Sequence, residues 1–293
     1  MVGVDSRDEV REFLATRRAK ITPQQAGLPD YGGQRRVPGL RRAEVALLAG
    51  VSPDYYVRLE RGNLTGVSDS VLEAIARALR LDDAEREHLF DLARAANTSP
   101  RARRRPTQQR IRPGVQQLLD AMTDAPAFVR NGRLDVLATN RLAEALYAPM
   151  FANPARPLNL ARFAFLDPQA TDFYPEWDAA ADTTVALLRT EAGRDPYNKD
   201  LTDLIGELST RSDEFRTRWA AHNVWLHQTG AKKFRHPIVG DLSLSFEAMP
   251  LPADPGLTLT AYSAQPGTPS HDALQLLASW AATPKSAPTA PAE

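Results

Sequence analysis

The chain contains no cysteine, which excludes disulfides, thiolate metal sites and a thiol redox sensor. It also has no net charge, because 36 Lys and Arg meet 36 Asp and Glu. The overall balance therefore selects neither a nucleic acid nor an anionic surface as partner. No run approaches the ~20 apolar residues of a membrane span, and the N-terminus shows no apolar signal region. A cytoplasmic protein without a membrane partner is the expectation. Histidines are few, five in all. His222, His227 and His236 lie close in sequence, but 222 and 227 do not share a helix face and no acid stands at ligand spacing, so no metal site is expected. Gly-x-Ser-x-Gly, Gly-x-x-x-x-Gly-Lys and Gly-x-Gly-x-x-Gly are all missing. Acid pairs such as Glu176 and Asp178 read as solvated helix surface. Nothing asks for an enzyme or an obligatory cofactor.

What is present begins with residues 41–62. Val45, Leu48 and Ala49 recur at helical spacing after Arg41. Gly50 stands where a left-handed residue ends a helix. Ser52 is a good N-cap and Pro53 occupies the first helical position, where a missing N–H costs nothing. In the second helix Tyr56 and Leu59 face inward, while Asp54, Tyr55, Val57, Arg58 and Arg61 face outward up to Gly62. Two short helices at a tight turn are the geometry that lays one helix in a DNA major groove. An ordinary helical hairpin would need a similar turn, so the surroundings matter. Further helices are expected at 8–20, 68–79 (capped by Ser68) and 83–96. The five together resemble the lambda-repressor-like domain of XRE-type bacterial regulators, in which a Leu-Glu-Arg-Gly such as Leu59–Gly62 closes the recognition helix. Two departures stand out. Arg41 and Arg42 replace the family's usual Ser-Gln, and the connection over residues 21–39 is long.

Charge is distributed unevenly. Residues 1–106 hold 19 basic and 15 acidic side chains, leaving 17 and 21 for residues 107–293. Within 17–61 the count is nine to four, so positive charge gathers around the turn. Arg35 and Arg36 in the long connection read equally as a solvated loop or as an arm on phosphates. Residues 98–112, rich in arginine and proline, read as a basic linker. The tail 283–293 reads as disordered. At 293 residues, two domains are the default: 1–97 and 113–282.

The second of these reads as mixed. A helix at Gly114–Met122 is followed by a hairpin, Ala127–Arg130 and Leu134–Thr139 around Asn131-Gly132. Helices are expected at 141–147, 159–165, 176–192, 199–209 and 212–227. Strands follow at Lys233–Val239, Leu242–Pro250 and Leu257–Ser263, then a helix at Asp272–Ala281. In Leu242–Glu247 apolar and polar residues alternate, so one face is buried. Two strands, a block of helices and three strands resemble a PAS-like α+β domain, a five-stranded antiparallel sheet covered on one face by helices with a pocket between. Arg133–Asn140, Trp219–Asn223 and Phe234–Gly240 sharpen this to a resemblance to MmyB-like transcription regulators. That resemblance implies a ligand domain that accommodates a fatty acid. As ligand contacts we consider Trp219, with His222 or Asn223 bonding a polar head, and Arg162, which could pair with a carboxylate or lie on the surface. Asn140 either lines the pocket or caps the next helix. Phe215 and Leu226 read as core.

The expected protein is a one-component bacterial regulator, a homodimeric repressor on a double-stranded operator, controlled by a small apolar ligand. Arg58 would read a guanine, Asp54 a cytosine and Tyr55 a thymine methyl or a phosphate. Ser52, Arg41, Arg42 and Arg61 would set register on phosphates. Two alternatives stay open: a second domain that only dimerises, and one with an activity that motif inspection misses.

Overall fold

The structure is a computed structural model and describes residues 6–28, 37–97, 111–154, 156–221 and 229–282. The chain forms two compact units, Met1–Pro106 with Asp182–Leu226, and Thr107–Ala181 with His227–Glu293.

The first unit opens with α1 (Ser6–Lys20), α2 (Arg42–Ala49), α3 (Pro53–Glu60), α4 (Asp69–Ala78) and α5 (Asp83–Asn97). Each sets a short apolar stripe against the others. Phe13 and Leu14, Val45, Leu59, Leu72 and Ile75, and Leu89 and Leu92 share one core, each large side chain contributing about 1.5–3 kcal/mol on burial. Gly62 ends the turn after α3 at φ +90°, and a Cβ there would lie 2.4 Å from the Arg7 carbonyl. Only glycine allows both the backbone angle and the approach to α1. Ser68 differs from expectation. Its hydroxyl lies 3.0 Å from that of Ser70 and gives α4 no side-chain cap, so packing of the apolar face holds that helix. Arg17 is buried as well, with its guanidinium over the Phe13 ring and 2.8 Å from Glu85.

The division of the chain differs from the linear one expected. The C-terminal part of α11 (Trp177–Arg194), α12 (Lys199–Arg211) and α13 (Asp213–Ala220) belongs with the first five helices. Fully buried Arg189 sits 2.5 Å from Glu9 of α1, donates to the Trp219 carbonyl, and lies 4.1 Å over the Trp219 ring. Arg194 bonds Asp91 and Glu87 of α5, each at 2.9 Å. Periodicity shows that a helix has a buried face, and not which partner buries it, so these long-range pairs are invisible in sequence. The expected helix 212–227 ends at Ala220, and residues 222–228 lie outside the described region.

The second unit contains α6 (Pro113–Ala121), β1 (Ala127–Asn131), β2 (Val136–Thr139), α7 (Arg141–Leu146), α8 (Ala148–Ala152), α9 (Leu160–Leu166) and α10 (Ala170–Phe173). Then come β3 (Thr229–His236), β4 (Gly240–Pro250), β5 (Leu257–Ser263) and α14 (Pro269–Ala282). The sheet is antiparallel in the order β2-β1-β5-β4-β3. Helices α8 and α10, five and four residues long, are too short to show a period. The hairpin turn is wider than a two-residue turn. Asp135 accepts from the Asn131 N–H at 3.1 Å and also bridges Asn159, and β2 starts at Val136. One face of the sheet packs on α7–α10 and α14 through Phe128, Phe234, Phe246 and Tyr262. The opposite face, expected to be bare, is partly covered by Val115 and Leu119 of α6 against Val129 and Leu259. Among the described residues no helix is long and apolar enough to cross a membrane. None of their His, Asp or Glu side chains form a group of three suited to a metal ion.

Candidate nucleic-acid interface and ligand-facing sheet

Helix α3 is held at both ends. At its start Ser52 Oγ accepts from the Tyr55 N–H at 3.2 Å. Before it, Gly50 at φ 66° returns its N–H to the end of α2. At its other end Glu60 is almost fully buried, and three charged hydrogen bonds converge on its carboxylate. Arg18 donates through Nε at 3.0 Å and Nη2 at 2.8 Å, and Arg42 through Nε at 3.1 Å. The same Arg18 also donates to the Leu40 carbonyl at 2.9 Å. Hydrogen bonding to Glu60 raises the Arg18 pKa despite its partial burial. The carboxylate thus ties α1, α2 and α3 together, with Tyr56 and Leu59 packed inside. Burial drives the Tyr56 phenol upward, so it stays neutral.

The remaining face of α3 is open. Asp54, Arg58 and Arg61 are exposed and Tyr55 is half-buried. The Arg58 guanidinium lies 4.9 Å over the Tyr55 ring, a contact that restrains its direction while leaving its donors outward. Arg41 and Arg42 are exposed at the start of the neighbouring helix. Arg35 and Arg36 lie outside the described residues. Glu60 escapes a reading of the sequence even though it lies inside the Leu-Glu-Arg-Gly motif. An acid within an outward-facing run looks solvated until its two arginines are brought to it from α1 and α2. Losing the Ser52 cap should be milder: Ser52→Ala is expected to lower stability by about 1 kcal/mol, read by urea unfolding, with the operator site unchanged.

The residues considered for the ligand do not assemble as one group. Asn140 Oδ1 accepts from Ala143 N at 2.8 Å and Ala127 N at 3.0 Å, and its Nδ2 donates to the Met122 and Ala125 carbonyls, both at 2.7 Å. It is the helix cap, with every polar position engaged. Trp219 belongs to the first unit, stacked on Phe215 at 5.6 Å and under Arg189. Arg162 is half-buried on α9. His222 and Asn223 lie outside the described residues.

Two other features of the second unit bear on where a small molecule can sit. One is an open groove of about 630 Å³ between α6, α7 and α14, lined by Asp120, Asp124, Arg141 and Leu142 among others. Its two carboxylates disfavour an acid. The other is the aromatic face of the sheet, which is filled core, with Tyr147, Phe173, Phe234 and Tyr262 all buried. Tyr147 and Tyr262 share a 2.7 Å hydroxyl contact, and the Tyr147 ring lies 5.7 Å from Phe234 and 5.6 Å from Phe173. Burial raises the pKa of all three tyrosines there, Tyr147, Tyr174 and Tyr262, the last to about 12. They are neutral hydrogen-bonding groups in an apolar wall.

Two family models match the chain in order. One, described as a helix-turn-helix domain, matches residues 9–89. The other, described as the MmyB-like transcription regulator ligand binding domain, matches residues 111–277. No curated protein sequence matches.

Proposed function

The chain belongs to the MmyB-like transcription regulators, with a helix-turn-helix domain followed by a ligand-binding domain, and we propose that it acts as a one-component repressor. In this reading a two-fold dimer places two copies of α3 in successive major grooves of a palindromic operator. A small apolar acid such as a fatty acid, bound in the second unit, sets the affinity for that operator. A ligand can do so only by binding the DNA-competent and incompetent arrangements with different free energy. Residues 182–221 offer a covalent route, since they fall within the span matched to the ligand-binding domain and pack on α1 and α5.

The observation that carries the proposal is the open face of α3, whose Asp54, Arg58 and Arg61 are held outward by a capped helix locked from below. Arg58 presents a planar fork suited to a guanine edge, and Arg41, Arg42 and Arg61 suit phosphates. Arg58→Ala should remove about 1–3 kcal/mol of discrimination between operator and random duplex, while salt-dependent non-specific binding survives. Anisotropy titrations on both duplexes read this directly. An unchanged preference would take base reading away from Arg58. Native mass spectrometry of the full chain tests the rest: a monomer on operator DNA would sink the dimer, and a ligand without an apolar chain would sink the fatty-acid reading.

A further inference from the structure

Helix α3 carries an acid and a base that do not meet. Asp54 and Arg58 stand at i and i+4, a spacing at which opposite charges on a helix ordinarily pair. Their side chains form no hydrogen bond or ion pair with one another or with any other described residue. The Arg58 guanidinium lies instead over the ring of Tyr55, three positions back, with 4.9 Å to its centroid. The difference matters for what Arg58 can do. An ion pair with Asp54 would use the in-plane donors of the fork, whereas a contact through one face leaves all of them free.

Tyr55 is a restrained platform for that contact. Its N–H is bonded to Ser52 Oγ at 3.2 Å, and its half-buried side chain packs on the core of the first unit. A guanidinium resting on a fixed ring has fewer rotamers to lose on binding than a freely moving one. It also has one face covered and one face open.

The open face carries sequence information. When the fork meets the O6 and N7 of a guanine edge to edge in the major groove, the guanidinium comes near the plane of that base. Its free face then looks along the duplex axis toward a neighbouring base pair. In a right-handed duplex, position 5 of a pyrimidine on the 5′ side overhangs the major-groove edge of the guanine. Thymine carries a methyl group there and cytosine only a hydrogen.

We propose that α3 reads a two-base step, a guanine preceded on its 5′ side by a pyrimidine that bears a C5-methyl group, with Tyr55 as the positioning residue that holds Arg58 for it. Thymine and 5-methylcytosine both satisfy the step and unmodified cytosine does not. A CpG in this place therefore gains affinity when its cytosine is methylated, which makes the recognition helix sensitive to DNA modification as well as to sequence. The inference rests on the reading of Arg58 as a guanine contact and adds the neighbour that the contact requires.

The test uses the full chain and duplexes that the wild type selects from a random-sequence library. Wild type, Arg58→Ala, Tyr55→Leu and Tyr55→Phe are compared, and thermal unfolding checks that each folds. Leucine keeps apolar bulk against the core without the ring, and phenylalanine keeps the ring. The position at which Arg58→Ala loses its base preference marks the guanine. Wild type should favour thymine on the 5′ side of it, and deoxyuridine in place of that thymine should weaken binding about fourfold, the worth of one buried methyl group. Cytosine should bind as deoxyuridine does, and 5-methylcytosine should recover about the same factor. Tyr55→Leu should lose the methyl effect and most of the guanine preference while binding random duplex as wild type does, and Tyr55→Phe should keep both. Equal binding of thymine and deoxyuridine duplexes, or an unaltered preference in Tyr55→Leu, overturns the two-base step and leaves the guanine contact standing. A guanine preference that survives Arg58→Ala, or a library that yields no enriched sequence, overturns the contact and the step together.

Discussion

Replacing Glu60 by alanine is expected to cost about 3–5 kcal/mol of folding free energy, because it strands charge that was paired in a buried site. Arg18 would lose both of its carboxylate hydrogen bonds and Arg42 its one. Removing Arg42 instead should cost no more than about 1 kcal/mol, since its side chain is 54 % exposed and water replaces what is lost. Glu60→Gln separates charge from shape. It fills the same space, and a loss close to that of alanine would show that the ionised carboxylate is what matters. The first readout is the denaturant midpoint. The second is operator affinity under conditions where each variant is folded, because α3 depends on this clamp for its angle to α2. A Glu60→Ala protein as stable as wild type would mean that the three helices are held by apolar packing alone.

Arg189→Met should be comparably damaging, again about 3–5 kcal/mol, although Arg189 lies outside the expected DNA-binding domain. Its removal leaves Glu9, 5 % exposed, without the partner at 2.5 Å, and takes a donor from the Trp219 carbonyl and a cation from its ring. His88 provides little compensation, its Nε2 standing 3.7 Å from the same carboxylate. The double variant Glu9→Gln with Arg189→Met is the informative control. If the pair is the cause, much of the lost stability returns, since an unpaired buried charge costs more than a neutral pair. Simple additivity of the two losses would put the damage in how the introduced methionine packs against Trp219.

The turn itself is legible in sequence because its signals are local. A glycine that ends a helix, a serine that caps the next and a proline at its first position act within a few residues, and α2 and α3 follow them closely. The same holds for Leu242–Glu247, where strict alternation predicts the burial seen in β4. What is not legible depends on distant pairing. Nine basic residues lie between 17 and 61, and among the described ones Arg17 is engaged by Glu85, and Arg18 and Arg42 by Glu60. The raw count therefore overstates the positive charge offered outward. Trp219 invites a ligand reading by its chemistry and is explained by Arg189, which sequence spacing does not bring near, whereas Asn140 takes the cap position that its place before α7 allows.

Recombination between regulators of this kind meets an obstacle in the pairing of α1 with α11. A cut within residues 98–112 suggests itself for grafting the DNA-reading head onto another sensor. Such a chimera would carry Glu9 and Asp91 away from Arg189 and Arg194, partners of which the first lies 180 positions downstream. The transplanted head would bring an unanswered carboxylate into its new host. A working exchange has to move two pieces, the N-terminal helices and the segment 182–221, as one cassette. Natural shuffling of these heads would be held to donors that supply both.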